Sequence, residues 1–161
     1  MLDMAISRGT PVAIRYPRGC PVGGDGPKEV KDLAWGRAEQ VSNPSSPIQL
    51  WALGDQVPKA LKVAEMLATR GVAAGVVNAR FVKPFDADLL ARQRAAGARI
   101  ASLENGSVAG GFGEAIGADL RFGWPDAYIP HGAIGELEAA YGLTADAIAE
   151  KLVYEKEGRQ T

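Results

Sequence analysis

The chain has 161 residues, 47% of them apolar and 23% charged, enough to bury a core in one main domain. Lys and Arg number 18 against 19 Asp and Glu, a net charge of −1, which excludes a basic field for nucleic acid or an anionic membrane. No apolar run approaches the ~20 residues of a membrane span, no signal-peptide pattern opens the chain, and the lone Cys20 can form neither an internal disulfide nor a CxxC pair, which fits a cytoplasmic setting.

Leu2 to Ser7 reads as the tail of a helix stopped by Gly9 and Pro11, so the chain is expected to begin inside a larger protein. Val12 to Arg15 reads as a short buried strand. It runs into Tyr16-Pro17-Arg18-Gly19, where the proline fixes the direction in which Arg18 leaves. A guanidinium so held matches phosphate or carboxylate oxygens through paired hydrogen bonds. An ordinary surface arginine or an interdomain ion pair is the competing reading. Cys20 to Pro27 is a Pro/Gly-rich linker, and its Gly24-Asp25-Gly26 is read as loop, because no buried strand precedes it and Pro27 follows.

The rest alternates between strands and helices. Trp35 to Val41 suits an edge or antiparallel strand, Ile48 to Leu53 a buried strand, and Val57 to Leu67 a helix ended by Gly71. Ala74 to Asn78 is a strand, Asp86 to Ala96 a helix, Arg99 to Leu103 a strand and Gly110 to Asp119 a glycine-initiated helix. Leu120 to Phe122 is a short strand. Helices near Gly135 to Tyr141 and Ala145 to Tyr154 close the chain, the last with Thr144 at its N-cap. This order predicts an α/β fold of three layers, α/β/α, with a mostly parallel five-stranded sheet and one antiparallel edge strand.

Few residues carry evident chemistry. Gly110 to Gly113 opens a helix whose amides suit an anion, but without the spacing of a nucleotide fingerprint, and close helix–sheet packing explains it as well. Glu104 ends a strand beside that loop and is expected to orient loop amides or face another domain. His131 is the sole histidine, in Pro130-His131-Gly132, with no nucleophile or carboxylate beside it in sequence, and is read as a turn histidine bonded to backbone or an interface or loop-orienting residue. Asp126 is read as a turn cap. No metal-ligand spacing occurs.

Taken in order, Val12-Ala13-Ile14-Arg15-Tyr16-Pro17-Arg18-Gly19, Trp35-Gly36-Arg37-Ala38-Glu39, Val77-Asn78-Ala79-Arg80-Phe81-Val82-Lys83-Pro84-Phe85-Asp86, Ala109-Gly110-Gly111-Phe112-Gly113 and Pro125 to Gly132 resemble the 1-deoxy-D-xylulose-5-phosphate synthases. The resemblance runs from about Leu2 to Leu152. It implies that residues 1–27 are the end of a pyrimidine-binding domain with its linker, and that residues 28–161 are a transketolase C-terminal-like domain. Such enzymes use thiamine diphosphate and magnesium to join pyruvate to glyceraldehyde 3-phosphate with loss of carbon dioxide, for isoprenoid and thiamine biosynthesis.

The coenzyme-binding parts and the catalytic glutamate lie upstream, so this chain is expected to bind no cofactor and to be inactive alone. The resemblance assigns Arg18 to the phosphate of glyceraldehyde 3-phosphate; Arg15 faces the opposite way along the period-two strand and is read as a packing or interface residue. The expected partners are a second copy, as a homodimer, and the missing N-terminal domains. A split subunit or freestanding interaction module of a thiamine diphosphate enzyme, like a transketolase or the beta subunit of a 2-oxo acid dehydrogenase, remains the alternative. The sequence departs from the pattern at Asn105 and Gly106, where family members carry a second glutamate and an asparagine. It departs again in the short stretch from Gly113 to Asp126, and at Trp124.

Overall fold

A mixed sheet of five strands forms the centre of a computed structural model, which describes residues 1–16 and 33–157. Its strands are β1 (Glu39–Ser42), β2 (Ile48–Ala52), β3 (Ala74–Asn78), β4 (Arg99–Ser107) and β5 (Leu120–Trp124), in the order β1-β3-β2-β4-β5. β1 runs antiparallel to β3, and every other pairing is parallel. The expected α/β architecture with one antiparallel edge strand is therefore the observed one. Among the described residues six helices accompany the strands: α1 (Leu2–Ser7), α2 (Gln56–Thr69), α3 (Ala87–Ala95), α4 (Phe112–Ala115), α5 (Ile134–Ala140) and α6 (Ala145–Glu157).

Alternation along the strands feeds two cores. Leu50, Val76 and Leu103 point to one face, where Ala60, Val63 and Leu67 of α2 meet Ile148 and Leu152 of α6. Trp51, Val77 and Ile100 point to the other, under Leu90 of α3 and Phe112 and Ile116 of α4. The two faces make three layers.

A polar network pins the antiparallel edge to the second face. The Trp51 indole N–H donates to the Gln93 side-chain carbonyl at 2.7 Å, and Gln93 donates to Gln40 at 2.9 Å. Gln40 donates to Gln49 at 3.0 Å, and the buried Gln49 amide donates to the Asn43 carbonyl at 3.0 Å. Every polar atom named has a partner, so the burial costs little. Gly75 makes room for it: a β-carbon there would lie 2.3 Å from the Asn43 carbonyl oxygen and 2.5 Å from Gln49 Oε1.

Several expectations need correction. Residues 11–16 belong to no strand in the described chain. The edge strand starts at Glu39, because Trp35 and Gly36 form a turn, with Gly36 at φ 68°. β4 runs on through Glu104, Asn105 and Gly106 to Ser107, past the apolar run that marked it. α4 is a single turn, far shorter than Gly110 to Asp119. Arg18, Cys20, Gly24-Asp25-Gly26 and the boundary at 27/28 lie outside the described residues.

Asp86 caps α3. It accepts from the amides of Leu89 and Ala38, each at 3.0 Å, and from Arg37 at 3.1 Å. Burial alone would raise its carboxyl; the Leu89 and Ala38 amides and the Arg37 guanidinium outweigh burial and hold it below its ordinary value. A folded pKa below the unfolded one gives stability that is complete above the ordinary carboxylate range and is lost as pH falls through the folded value. Asp86→Asn keeps an acceptor for Leu89 but turns an amide NH2 toward donors. Urea unfolding is expected to show a loss of about 1–2 kcal/mol at pH 7, with the gap to wild type closing below about pH 4. A gap that stays constant into acid contradicts this assignment.

Candidate functional site

The winding of the sheet reverses at β2. From β2 the chain passes through α2 to β3 on one side, then crosses back through α3 to β4 on the other. In open α/β sheets the crevice at the carboxyl ends of two such strands is the usual binding place. Here those ends are Leu53-Gly54-Asp55 after β2, and Glu104-Asn105-Gly106 within β4.

Asn105 fills this crevice. Its amide nitrogen donates to the Asp55 carboxylate at 3.0 Å, and its side-chain oxygen accepts from the Trp124 indole N–H at 2.9 Å. An indole only donates and a carboxylate only accepts, so the two partners fix the orientation of the amide. Asp55 occupies the N-cap position of α2, yet makes no side-chain cap bond there. Trp124 in turn packs edge-on against Tyr141, with ring centroids 5.8 Å apart. Lys59 of α2 pairs with Glu138 of α5 at 2.6 Å. The cavity left among Gln56, Lys59, Glu104, Asn105, Trp124 and Glu138 measures about 10 Å3, room for roughly one water.

Glu104 is buried and holds the next loop. One carboxylate oxygen accepts from the Phe112 amide at 2.7 Å, the other from the Gly113 amide at 2.8 Å. The Gly110 amide donates to Glu114 at 3.2 Å. The amides of Gly110, Phe112 and Gly113, which an external anion would use, are thus engaged from within. Glycine is required around the carboxylate. A β-carbon on Gly111 would lie 2.6 Å from Glu104 Oε2 and 2.1 Å from the Ser107 carbonyl oxygen, and one on Gly123 3.0 Å from Glu104 Cγ.

The N-terminal arm meets the same end of the sheet. Arg15 Nη2 donates to the Asn105 carbonyl at 2.5 Å. Further back, the Arg8 guanidinium lies 4.0 Å over the Trp35 ring, which packs on Phe81 with centroids 5.3 Å apart. Arg15, Asn105 and Glu104 therefore gather at one place. His131 does not join them: it is exposed in the connection after β5, and no hydrogen bond or ion pair links it to Glu104 or Arg15 among the described residues. Asp126 is exposed, and the turn it was expected to cap is closed by the Ala127 amide on the Pro125 carbonyl. Asp55 reads in the sequence as an ordinary polar loop residue, and Asn105 stands out there only as a departure from the family pattern.

A broader cleft of about 450 Å3 lies at the opposite end of the sheet, lined in part by Arg94, Arg99 and Asp119. Its charged groups are engaged within the chain: Arg94 donates to the Gly117 carbonyl at 2.5 Å, and Asp119 accepts from the Ile100 amide at 2.8 Å.

The chain matches a known family model, "Transketolase, C-terminal domain", over residues 36–148, and belongs to that family. The family is thiamine-diphosphate-dependent. At the level of whole sequences, the chain is similar to the 1-deoxy-D-xylulose-5-phosphate synthase of Desulforudis audaxviator, 41% identical over 99% of this chain and 27% of the relative. It is similarly related to that of Heliobacterium modesticaldum, 39% identical over 92% of this chain and 24% of the relative. It thus spans about a quarter of the length of these curated relatives and matches their C-terminal part. Among solved structures it is similar to a split-gene transketolase described as an inactive beta4 tetramer, with a TM-score of 0.66 and 28% identity over 73% of this chain and 41% of that one.

The glycine-rich turn is closed on Glu104, and among the described residues no group of three or more His, Cys, Asp or Glu side chains is placed to hold a metal ion.

Glu104→Gln tests the closure of the crevice. The amide retains one acceptor and presents an NH2 to the second backbone N–H. Thermal and urea unfolding are expected to show a loss of about 1.5–3 kcal/mol, with Trp51 fluorescence altered because Phe112 packs 6.4 Å from it. A variant as stable as wild type contradicts the role.

Proposed function

We propose that the chain is the C-terminal unit of a 1-deoxy-D-xylulose-5-phosphate synthase. It works as a scaffold that docks against the coenzyme-binding parts and presents one arm to the substrate. The supporting observation is that similarity to these synthases covers 99% of the chain. It therefore extends past the matched domain, residues 36–148, into the arm that Arg15 ties to the carboxyl end of β4.

On this reading residues 1–27 close a pyrimidine-binding domain and residues 28–161 form the scaffold. Arg18, three residues beyond Arg15, binds the phosphate of glyceraldehyde 3-phosphate through its guanidinium. Thiamine diphosphate, which supplies the nucleophilic carbon for joining pyruvate to the aldehyde, is held with magnesium by other parts of the enzyme. The switch-point crevice contributes rigidity instead of a ligand site, since Asn105 fills it. The unit assembles as an oligomer, as the split transketolase does. A separate subunit of a split enzyme is the second reading, and that same transketolase favours it. No helix among the described residues is long and apolar enough to cross a membrane, in keeping with the cytoplasmic setting of this reading.

A chimera tests the proposal. Replacing the matched quarter of the Desulforudis audaxviator synthase with this chain is expected to give release of carbon dioxide from pyruvate that depends on glyceraldehyde 3-phosphate. In that chimera Arg18→Ala should raise KM for glyceraldehyde 3-phosphate roughly 10- to 100-fold, as loss of a charge-assisted pair does, with KM for pyruvate little changed. A folded but inactive chimera, or an Arg18→Ala variant that affects pyruvate alone, contradicts it.

A further inference from the structure

β4 breaks its pairing just where the arm arrives. Its ladder with β2 ends at Ala52 opposite Leu103. Its ladder with β5 jumps from Leu103 opposite Phe122 to Ser107 opposite Trp124, so Glu104, Asn105 and Gly106 face Gly123 alone. A bulge of this kind releases backbone groups from the ladder and re-aims them, and bulges gather beside functional sites. Here the Asn105 carbonyl is released, and Arg15 Nη2 donates to it at 2.5 Å. The guanidinium lies beside Gly106, where a β-carbon would stand 4.0 Å from Nη1.

A released carbonyl fixes a partner only if it is itself fixed. With no ladder at residue 105, that falls to the side chain. Its amide is tied at both ends, to the Asp55 carboxylate and to the Trp124 indole, and Trp124 is braced by Tyr141. The arm has no such support of its own. Residues 9–16 belong to no helix or strand. Arg8 grips the Trp35 ring seven residues earlier, but seven residues can reach about 23–25 Å, so that contact leaves the direction of the arm open. The bond from Arg15 sets it. Tyr16, the next residue, is already 81% exposed.

We infer that Arg15 is a positioning residue for glyceraldehyde 3-phosphate: seated on the bulge by Asp55, Asn105 and Trp124, it sets how well the arm binds the phosphate of that substrate. This rests on the reading that gives the phosphate to Arg18, and it names the contact that aims the arm.

In the chimera described above, Arg15→Ala is expected to raise KM for glyceraldehyde 3-phosphate roughly 3- to 10-fold, about the worth of one hydrogen bond, with kcat and KM for pyruvate little changed. Arg15→Lys, which can still donate to the carbonyl, should recover most of the loss. Trp124→Phe keeps a ring against Tyr141 but removes the N–H. It should raise the same KM and add little to Arg15→Ala, because both act on one seat. A loss in kcat alone, or an equal rise in both KM values, makes Arg15 merely structural and overturns the inference. An Arg15→Ala chimera equal to wild type, where Arg18→Ala has raised KM, also overturns it and leaves the phosphate assignment standing. An Arg18→Ala chimera without effect overturns that assignment, and the inference with it. The seat is tested on this chain alone by 15N relaxation. Order parameters at Ala13, Ile14 and Arg15 are expected near ~0.85 in wild type and below about 0.6 in Arg15→Ala. Wild-type values already below about 0.6 overturn the inference whatever the chimera does.

Discussion

The carboxylate of Glu104 is the constraint on which the carboxyl end of this sheet depends. It sits buried at a strand end and accepts two backbone amides, those of Phe112 and Gly113. A buried charge is tolerable only when so bonded. The bonds fix where the chain turns after β4 and start α4 at Phe112. They also bring the Phe112 ring beside Trp51 in the second core. The space the carboxylate occupies dictates Gly111 and Gly123, because a side chain at either would overlap it or its neighbours.

Function follows from what this closure leaves. The crevice where an open α/β sheet ordinarily takes a ligand is held shut by Glu104 on the loop side, and by Asn105 between Asp55 and Trp124 on the other. The outer backbone of the same segment is still available, and Arg15 of the arm binds it at the Asn105 carbonyl. On the proposed reading, a domain so arranged holds a neighbouring element in register, and its own crevice supplies rigidity. That is the behaviour expected of the terminal unit of an enzyme whose coenzyme is bound elsewhere.

The fold was legible where burial dominates the pattern. β2 and β3 are short apolar runs bounded by turns, and α2 carries an apolar stripe ended by Gly71; each lies where its periodicity places it. The errors cluster where side chains outside the local window decide. β4 was cut short because Glu104-Asn105-Gly106 is polar, yet β5 and the loop amides extend it. α4 is far shorter than the expected Gly110 to Asp119, because the chain leaves the helix at the Gly117 turn at φ 62°. The Gln40–Gln49–Gln93–Trp51 network and the Arg37–Asp86 pair join residues between 9 and 53 positions apart, so no local pattern announces them. Glu104 was visible as a strand-end acid beside a glycine turn. The role of Asn105 was not, since its importance lies in having a donor and an acceptor to satisfy at once.

The most direct measurement of this account is native-state hydrogen exchange at the amides of Phe112 and Gly113. If the buried carboxylate holds the carboxyl end of the sheet closed, both amides exchange only through unfolding of the core and are as protected as those in the middle of β4. Exchange at the rate of an open loop, with β4 still protected, would show that the turn is not fastened there and that the crevice is free to open for a ligand.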